Sequence, residues 1–240
     1  VNPTVFEIEK TGMHLADKIV AVSNLTRNTV IEKYGIHPDK VVTVYNAVDP
    51  LSDQEKLQLK RGITDKVVTF LGRVTLQKGP EYFVQAAHKV LQKMDNVRFV
   101  MAGSGELLEK MIHWTSSLGI SDRFHYTGFL KGDDVFKMFS ISDVYVMPSV
   151  SEPFGISPLE AMQSNVPSII SYQSGVAEIL QYAFKVDFWD VDALADAIYG
   201  LLNYPSLSEM FKKHGVKEVH DMKWENSGKK VHDIYQEFVK

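Results

Sequence analysis

The sequence predicts an α/β protein built on a doubly wound, Rossmann-like parallel sheet. Three observations carry that expectation. Short Val- and Ile-rich runs recur along the chain without strict polar alternation, as in strands covered on both faces. Amphipathic stretches of helical period lie between them. The links are short, and alternation of this kind favours parallel pairing with crossover helices on both faces.

The elements follow in order. Strands are expected over 18–23 and 41–45, with a helix over about 24–34 between them. Asn46-Ala47-Val48-Asp49-Pro50 is turn-rich, and a polar stretch over 52–60 follows before regular alternation starts at Val67. From there strands are expected over 67–71, 97–102, 124–127, 144–147, 168–171 and, with the weakest pattern, 184–188. A helix over 80–94 aligns Phe83, Ala86, Ala87, Val90 and Leu91, and one over 105–118 aligns Leu107, Leu108, Met111 and Ile112. Further helices are expected over 135–141, 158–163, 191–202, 207–219 and 228–239. The span 67–190 therefore holds a complete doubly wound domain, whereas residues 1–48 hold too little for another.

Composition narrows the class. The 240 residues are 45% apolar and 23% charged, an ordinary globular balance. Twenty-six basic against 30 acidic residues leave a net charge of −4 with no basic run, which argues against a nucleic-acid or anionic-membrane binder. The absence of cysteine excludes disulfides, thiolate nucleophiles and Cys-ligated metals. No apolar run reaches the ~18–20 residues of a membrane span, and residues 1–7 lack the charged and apolar regions of a signal peptide. A cytoplasmic location is expected. The eight histidines form no cluster at ligand spacing, and no Asp-x-Asp or HExxH occurs, so no metal ligand is assigned.

Three motifs stand where strands are expected to end, which is where open α/β sheets bind ligands. The first is Gly72-Arg73 followed by Lys78-Gly79. Arg73 offers a bidentate fork to phosphate and Lys78 a point charge, although two cations on a solvated loop would read the same. The second is Gly103-Ser104-Gly105, which fits either close approach of a ligand or a tight strand-to-helix turn. The third, most informative, runs from Ser149 through Glu152-Pro153-Phe154-Gly155-Ile156-Ser157-Pro158-Leu159-Glu160. Its last part also reads as a capping box, with Ser157 as N-cap, Pro158 at the first helical position and Glu160 at the third. That account leaves Glu152, Phe154 and Gly155 unexplained. A flexible Gly155 before a helix N-terminus exposes N–H groups to anions, and flanking carboxylates suit sugar hydroxyls. Cations for phosphates and carboxylates for hydroxyls together suggest a nucleotide-sugar site.

These motifs, with Pro148-Ser149 and Glu152-Pro-Phe-Gly-x-x-x-Leu-Glu160-Ala-Met, resemble the C-terminal, donor-binding domain of glycosyltransferase family 4, the group 1 transferases. The resemblance covers about residues 40–230, and the general character is similar to that of α-glucan synthases. It implies the C-terminal half of a GT-B fold plus a remnant of the N-terminal domain. Residues 1–48 would be the tail of the acceptor domain and the linker, 49–222 the donor domain, and 223–240 the crossover helix. The implied activity is retaining transfer of a glycosyl group from a nucleotide-diphosphate sugar, a hexosyltransferase reaction with no cofactor or metal. Arg73, Lys78 and Glu152 would be the catalytic set, the cations on the diphosphate and Glu152 on the donor sugar. Phe154, Gly155 and Ile156 would present N–H groups to sugar and phosphate, and Glu160 would hold the ribose. Gly128, Phe129 and Leu130 would border the base, with Gly72, Gly103, Gly105 and Leu159 completing the donor site.

Two departures from the family pattern are visible. Gln173-Ser174-Gly175-Val176 replaces a pair of adjacent glycines, and residues 185–190 replace a Gly-rich stretch expected to lie remote from the chemistry. The expected partners are a nucleotide sugar and an acceptor held through the missing N-terminal domain, with no nucleic acid. Membrane association of a full protein is not indicated by any residue of the chain. Residues 1–48 and the segment after Trp224 lack a landing surface, so they are expected to pack unlike the family or to pair two fragments as a homodimer. The alternatives are a binding module inactive alone and a nucleotide-sugar epimerase on a similar fold.

Overall fold

In a computed structural model, residues 2–51, 62 and 64–238 are described. The polar stretch 52–60 and the expected last helical position, 239, lie outside them. Strands β1 (Ile19–Ala21) and β2 (Val41–Thr43) form a parallel pair with Ile19 opposite Val41. Strands β3 (Lys66–Leu71), β4 (Val97–Ala102), β5 (Phe124–Gly128), β6 (Val144–Met147), β7 (Ser168–Ser171) and β8 (Phe184–Val186) form a second sheet. Its order is β5-β4-β3-β6-β7-β8, and every pairing is parallel.

The absence of alternation in β3 has a direct cause. Val67, Val68, Thr69 and Phe70 are all buried, because helices cover both faces. Helices α1 (Pro3–Leu15) and α2 (Asn24–Tyr34) accompany the small pair. Helices α3 (Pro80–Leu91), α4 (Leu108–Ser117), α5 (Asp133–Ile141) and α6 (Ser157–Gln163) alternate with the strands of the large sheet. Three more, α7 (Val191–Asn203), α8 (Pro205–His220) and α9 (Trp224–Gln236), complete the chain. On one face α3, α4 and α7 bury Phe83, Met111 and Ile198 against Phe70 and Phe99. Phe83 meets Phe70 at 5.7 Å and Phe99 edge-on at 5.8 Å between ring centroids, within the range of favourable aromatic pairs. On the other face α5 and α6 bury Phe139, Leu159 and Met162 around Tyr145.

Helix α1 is absent from the sequence reading because it has no buried residue and hence no core-facing stripe. Its local signals are nevertheless good: the Asn2 side chain accepts from Thr4 N–H, and Pro3 opens the helix. Helix α8 begins two residues earlier than expected at Pro205, and α9 four residues earlier at Trp224.

The small pair joins the large domain through Val22, Tyr45 and Val48, which pack on the α5–α6 core, and through polar contacts. Ser23, the N-cap of α2, donates its hydroxyl to Pro153 C=O at 2.6 Å. The Glu178 carboxylate accepts from Asn24 N–H at 2.9 Å, Leu25 N–H at 2.7 Å and Tyr45 O–H at 2.9 Å. Burial first and Glu178 second push the Tyr45 hydroxyl up to about 12. Helix α9 returns to the same place, with Ser227 donating to Tyr45 C=O at 2.7 Å. The consequence for function lies in the large sheet: its order reverses between β3 and β6, which opens a crevice at the carboxyl ends of those strands.

Candidate functional site at the β3/β6 switch point

All three motifs meet at that crevice. The loop after β3 carries Gly72, exposed Arg73 and, in a short 3-10 turn, Lys78. The loop after β6 carries Glu152, whose carboxylate pairs with the Lys78 ammonium. The side chains of Lys78 and Glu152 are only 21% and 11% exposed, so the pair is weakly screened. Gln77, passed over in the sequence although it stands beside Lys78, binds the two loops together. Its C=O accepts from Val150 N–H at 2.9 Å and its amide donates to Ser151 C=O at 3.0 Å. Its amide oxygen accepts from Arg73 at 3.2 Å, which holds the guanidinium over the loop.

Gly103 and Gly105 serve the turn. A Cβ on Gly103 would overlap the Gly72 carbonyl oxygen, and one on Gly105 the Val74 carbonyl oxygen. The Gly103 N–H is already donated to Gly128 C=O at 2.8 Å. These glycines let the loops after β3, β4 and β5 touch. Phe129 is 73% exposed, whereas Leu130 packs partly against the α5–α6 core.

The segment around Gly155 is held by backbone bonds to the loop after β7. Glu152 donates its N–H to Gln173 C=O and accepts from Gly175 N–H, both at 3.0 Å. Phe154 is buried, and its C=O accepts from Val176 N–H at 2.8 Å. The N–H groups of Phe154, Gly155 and Ile156 meet no acceptor among the described residues. Gly155 has φ 98°, a backbone conformation that favours glycine in the middle of this run of donors. Successive N–H groups in such a turn form a concave anion site.

The capping box is not formed. Helix α6 begins at Ser157 with Ile156 as N-cap and no side-chain cap. Ser157 Oγ instead lies 2.7 Å from the hydroxyl of buried Tyr145, which also donates to Leu71 C=O at 3.4 Å. Burial raises the Tyr145 hydroxyl far above the ordinary tyrosine range, so it stays protonated. Glu160 is thereby left half-buried with no hydrogen bond to its carboxylate among the described residues, and burial raises its pKa. Leu159 differs from the expectation for it: with no exposed surface it is a core residue, placed there by the one-residue offset from Glu160.

The two departures from the family pattern are joined and not remote. The Gln173 amide donates to Asp187 at 2.8 Å, while its C=O holds Glu152. His14 is exposed at the end of α1. Among the described residues no three His, Cys, Asp or Glu side chains are grouped to hold a metal, and no helix is long and apolar enough to cross a membrane.

Comparison with known proteins places this arrangement. Residues 53–218 match the model of the glycosyl transferases group 1, and residues 1–50 that of glycosyltransferase family 4. The chain belongs to the group 1 glycosyl transferases. It is 31% identical to an uncharacterized glycosyltransferase of Methanocaldococcus jannaschii over 98% of its own length and 64% of the relative's. It is 27% identical to the alpha-maltose-1-phosphate synthase of Mycolicibacterium smegmatis over 95% of its length and 65% of that protein's. Among solved structures, Anabaena Alr3699/HepE in complex with UDP and glucose superposes with a TM-score of 0.87 at 16% identity, covering 99% of this chain and 68% of that one. The sucrose-phosphate synthase of Thermosynechococcus elongatus gives a TM-score of 0.83 at 20% identity, covering 99% and 62%. The fold is thus that of the GT-B glycosyltransferases. The chain spans less than two thirds of the length of several of these relatives, among them 57% of the alpha-D-kanosaminyltransferase of Streptomyces kanamyceticus. Superposition over 99% of the chain includes the β1–β2 pair and α9, so their expected packing unlike the family is overturned. Contacts of Ser23, Glu178 and Ser227 supply the docking that the sequence did not reveal. Membership of a transferase family also decides against the epimerase alternative.

Proposed function

We propose that the crevice binds a nucleotide-diphosphate sugar and that this chain supplies the donor half of a retaining, metal-independent glycosyl transfer. The observation that carries the reading is the run of three unaccepted N–H groups at Phe154, Gly155 and Ile156, flanked by the carboxylates of Glu152 and Glu160. Donors of this kind suit phosphate and sugar oxygens, and the carboxylates accept from hydroxyls. The complexes of Anabaena Alr3699/HepE with UDP and glucose, and with UDP-glucose, support the same ligand class.

Each group then has a task. Arg73 and Lys78 offset the charge that grows on the departing diphosphate, and preorganised charges cost no reorganisation during the reaction. Glu152, released from Lys78, orients hydroxyls of the transferred sugar. Glu160 accepts from the ribose. Gln77 keeps the cations and the glutamate loop at fixed separation. The acceptor is a carbohydrate or other hydroxyl compound held by protein beyond this chain, because transfer needs the two reactants in near-attack geometry. A narrower reading, donor binding without transfer by these 240 residues, is favoured by the fraction of the relatives' length that the chain spans.

A thermal-shift series with UDP, ADP, GDP and their glucose conjugates tests the reading. A ligand at about 100 times its dissociation constant stabilises the fold by roughly 2.7 kcal/mol. Arg73→Ala and Glu160→Ala are expected to lose most of the shift. Unchanged shifts in both variants, or none in the wild type, would refute the site. Donor turnover with and without a chelator, and the anomeric configuration of the product, test the metal and stereochemical parts.

A further inference from the structure

We propose that Tyr145 is a positioning residue for ribose recognition: its hydroxyl holds Ser157 out of a helix cap and so leaves the Glu160 carboxylate free for ligand. The inference rests on the reading of Glu160 given above. Its starting point is a contradiction between sequence and structure. Ser157-Pro158-Leu159-Glu160 has the spacing of a capping box, in which the Ser side chain and the Glu side chain would satisfy the first N–H groups of the helix reciprocally. Instead α6 starts one residue earlier in register, with Ile156, a poor capping residue, as its N-cap.

Tyr145 supplies the competing partner. It lies on β6, fully buried, with its hydroxyl 2.7 Å from Ser157 Oγ and 3.4 Å from Leu71 C=O. Leu71 is the last residue of β3, immediately before Gly72 and Arg73. One hydroxyl therefore spans the switch point and ties the start of the Glu160 helix to the end of the strand that delivers the cations. If Ser157 turned to cap the helix, the buried phenol would keep only its long bond to Leu71 C=O, a loss that opposes recapping. With Tyr145 in place, Glu160 has no use within the protein and meets the ligand unpaired.

The test compares two affinities on the same folded sample. The tightest binder among UDP, ADP and GDP and its 2′,3′-dideoxy counterpart are titrated against wild type, Tyr145→Phe, Glu160→Gln, the double variant and Tyr145→Phe/Ser157→Ala. Wild type is expected to prefer the ribose form by about 10- to 100-fold, the range of one charged hydrogen bond. Glu160→Gln should lose most of that preference. Tyr145→Phe should lose at least fivefold of it, the double variant should lose no more than Glu160→Gln alone, and Ser157→Ala should restore it in the Phe background. A Tyr145→Phe protein that keeps the wild-type preference, losses that add in the double variant, or no restoration by Ser157→Ala would each overturn the inference. A general loss of packing would weaken both ligands equally and leave the ratio unchanged. If instead Glu160→Gln keeps the preference, the role of Glu160 itself is wrong.

Discussion

Strands β1 and β3 are both parallel and both mostly apolar, yet they are held in different ways. Strand β3 has a neighbour on each side and four successive buried residues. Strand β1 has one neighbour and one buried residue, Ala21, in a cluster that otherwise contains only Val30, Ile36 and Val41 as buried members. Around β3 the fold is held by apolar burial on two faces. Around β1 it is held in part by hydrogen bonds to the large domain, from Ser23 to Pro153 C=O and from Asn24, Leu25 and Tyr45 to the Glu178 carboxylate. The difference teaches that the β1–β2 pair has little core of its own and gains its place by docking, through these hydrogen bonds and through Val22, Tyr45 and Val48 packing on the large-domain core. One docking point, Pro153, lies in the glutamate loop.

The largest expected effect lies in the two-faced core. Phe99→Ala should destabilise by about 3–5 kcal/mol, as for other buried Phe truncations. Val30→Ala, in the small cluster, removes two methyl-sized groups and should cost about 1.6 kcal/mol at roughly 0.8 per group. Urea denaturation measures both, and equal losses would abolish the contrast. Next in size is Glu178→Gln, which weakens charge-assisted bonds to two backbone N–H groups and to Tyr45 O–H. It should cost on the order of 1.5–3 kcal/mol and speed hydrogen exchange in β1 and α2 more than in β3 and β4. Protection lost evenly across the molecule would mean that the pair is not a separately held unit.

The smallest expected effect concerns Glu160. Its native pKa lies above the ordinary value because burial penalises the charged form. The native state therefore binds the proton more tightly than the unfolded chain, and stability falls as pH rises from the unfolded value through the native one. Glu160→Gln should be slightly more stable than wild type at neutral pH, with the gap closing on acidification below the unfolded pKa. A gap that widens toward low pH would reverse the assignment. Such a stability gain with loss of ligand would mark Glu160 as retained for function at a cost to the fold.

Much of this was legible in the sequence because burial on both faces writes itself as unbroken apolar runs. Val67, Val68 and Phe70 disclose β3, and Phe83, Ala87 and Val90 disclose α3. The grouping of the candidate site residues was legible where their motifs sit at strand ends, at Arg73, Lys78, Glu152 and Glu160. Less legible were partners distant in sequence. Tyr145 reads as one apolar residue of a buried strand, and its hydroxyl acquires meaning only across the 12 residues to Ser157. Gln77 reaches 74 residues to Ser151. The misread capping box has the same origin, since local pattern cannot display a competitor from another strand. Helix α1 escaped notice for the opposite reason: with nothing to bury, it lacks the stripe that pattern reading relies on.

The Lys78–Glu152 pair has a consequence for which ligands the crevice admits. At Lys78 an incoming anion does not meet a bare cation; it must outcompete a carboxylate already in contact with the ammonium. A single diffuse charge such as chloride offers Lys78 no better partner than Glu152 does. In the proposed donor site a diphosphate, with several charges and a second hold on Arg73, would complete the exchange and leave the Glu152 carboxylate free to accept from sugar hydroxyls. On the proposed reading, the crevice would sort by valence before shape, and Glu152 would become free as a hydroxyl acceptor only once a diphosphate had taken its place on Lys78.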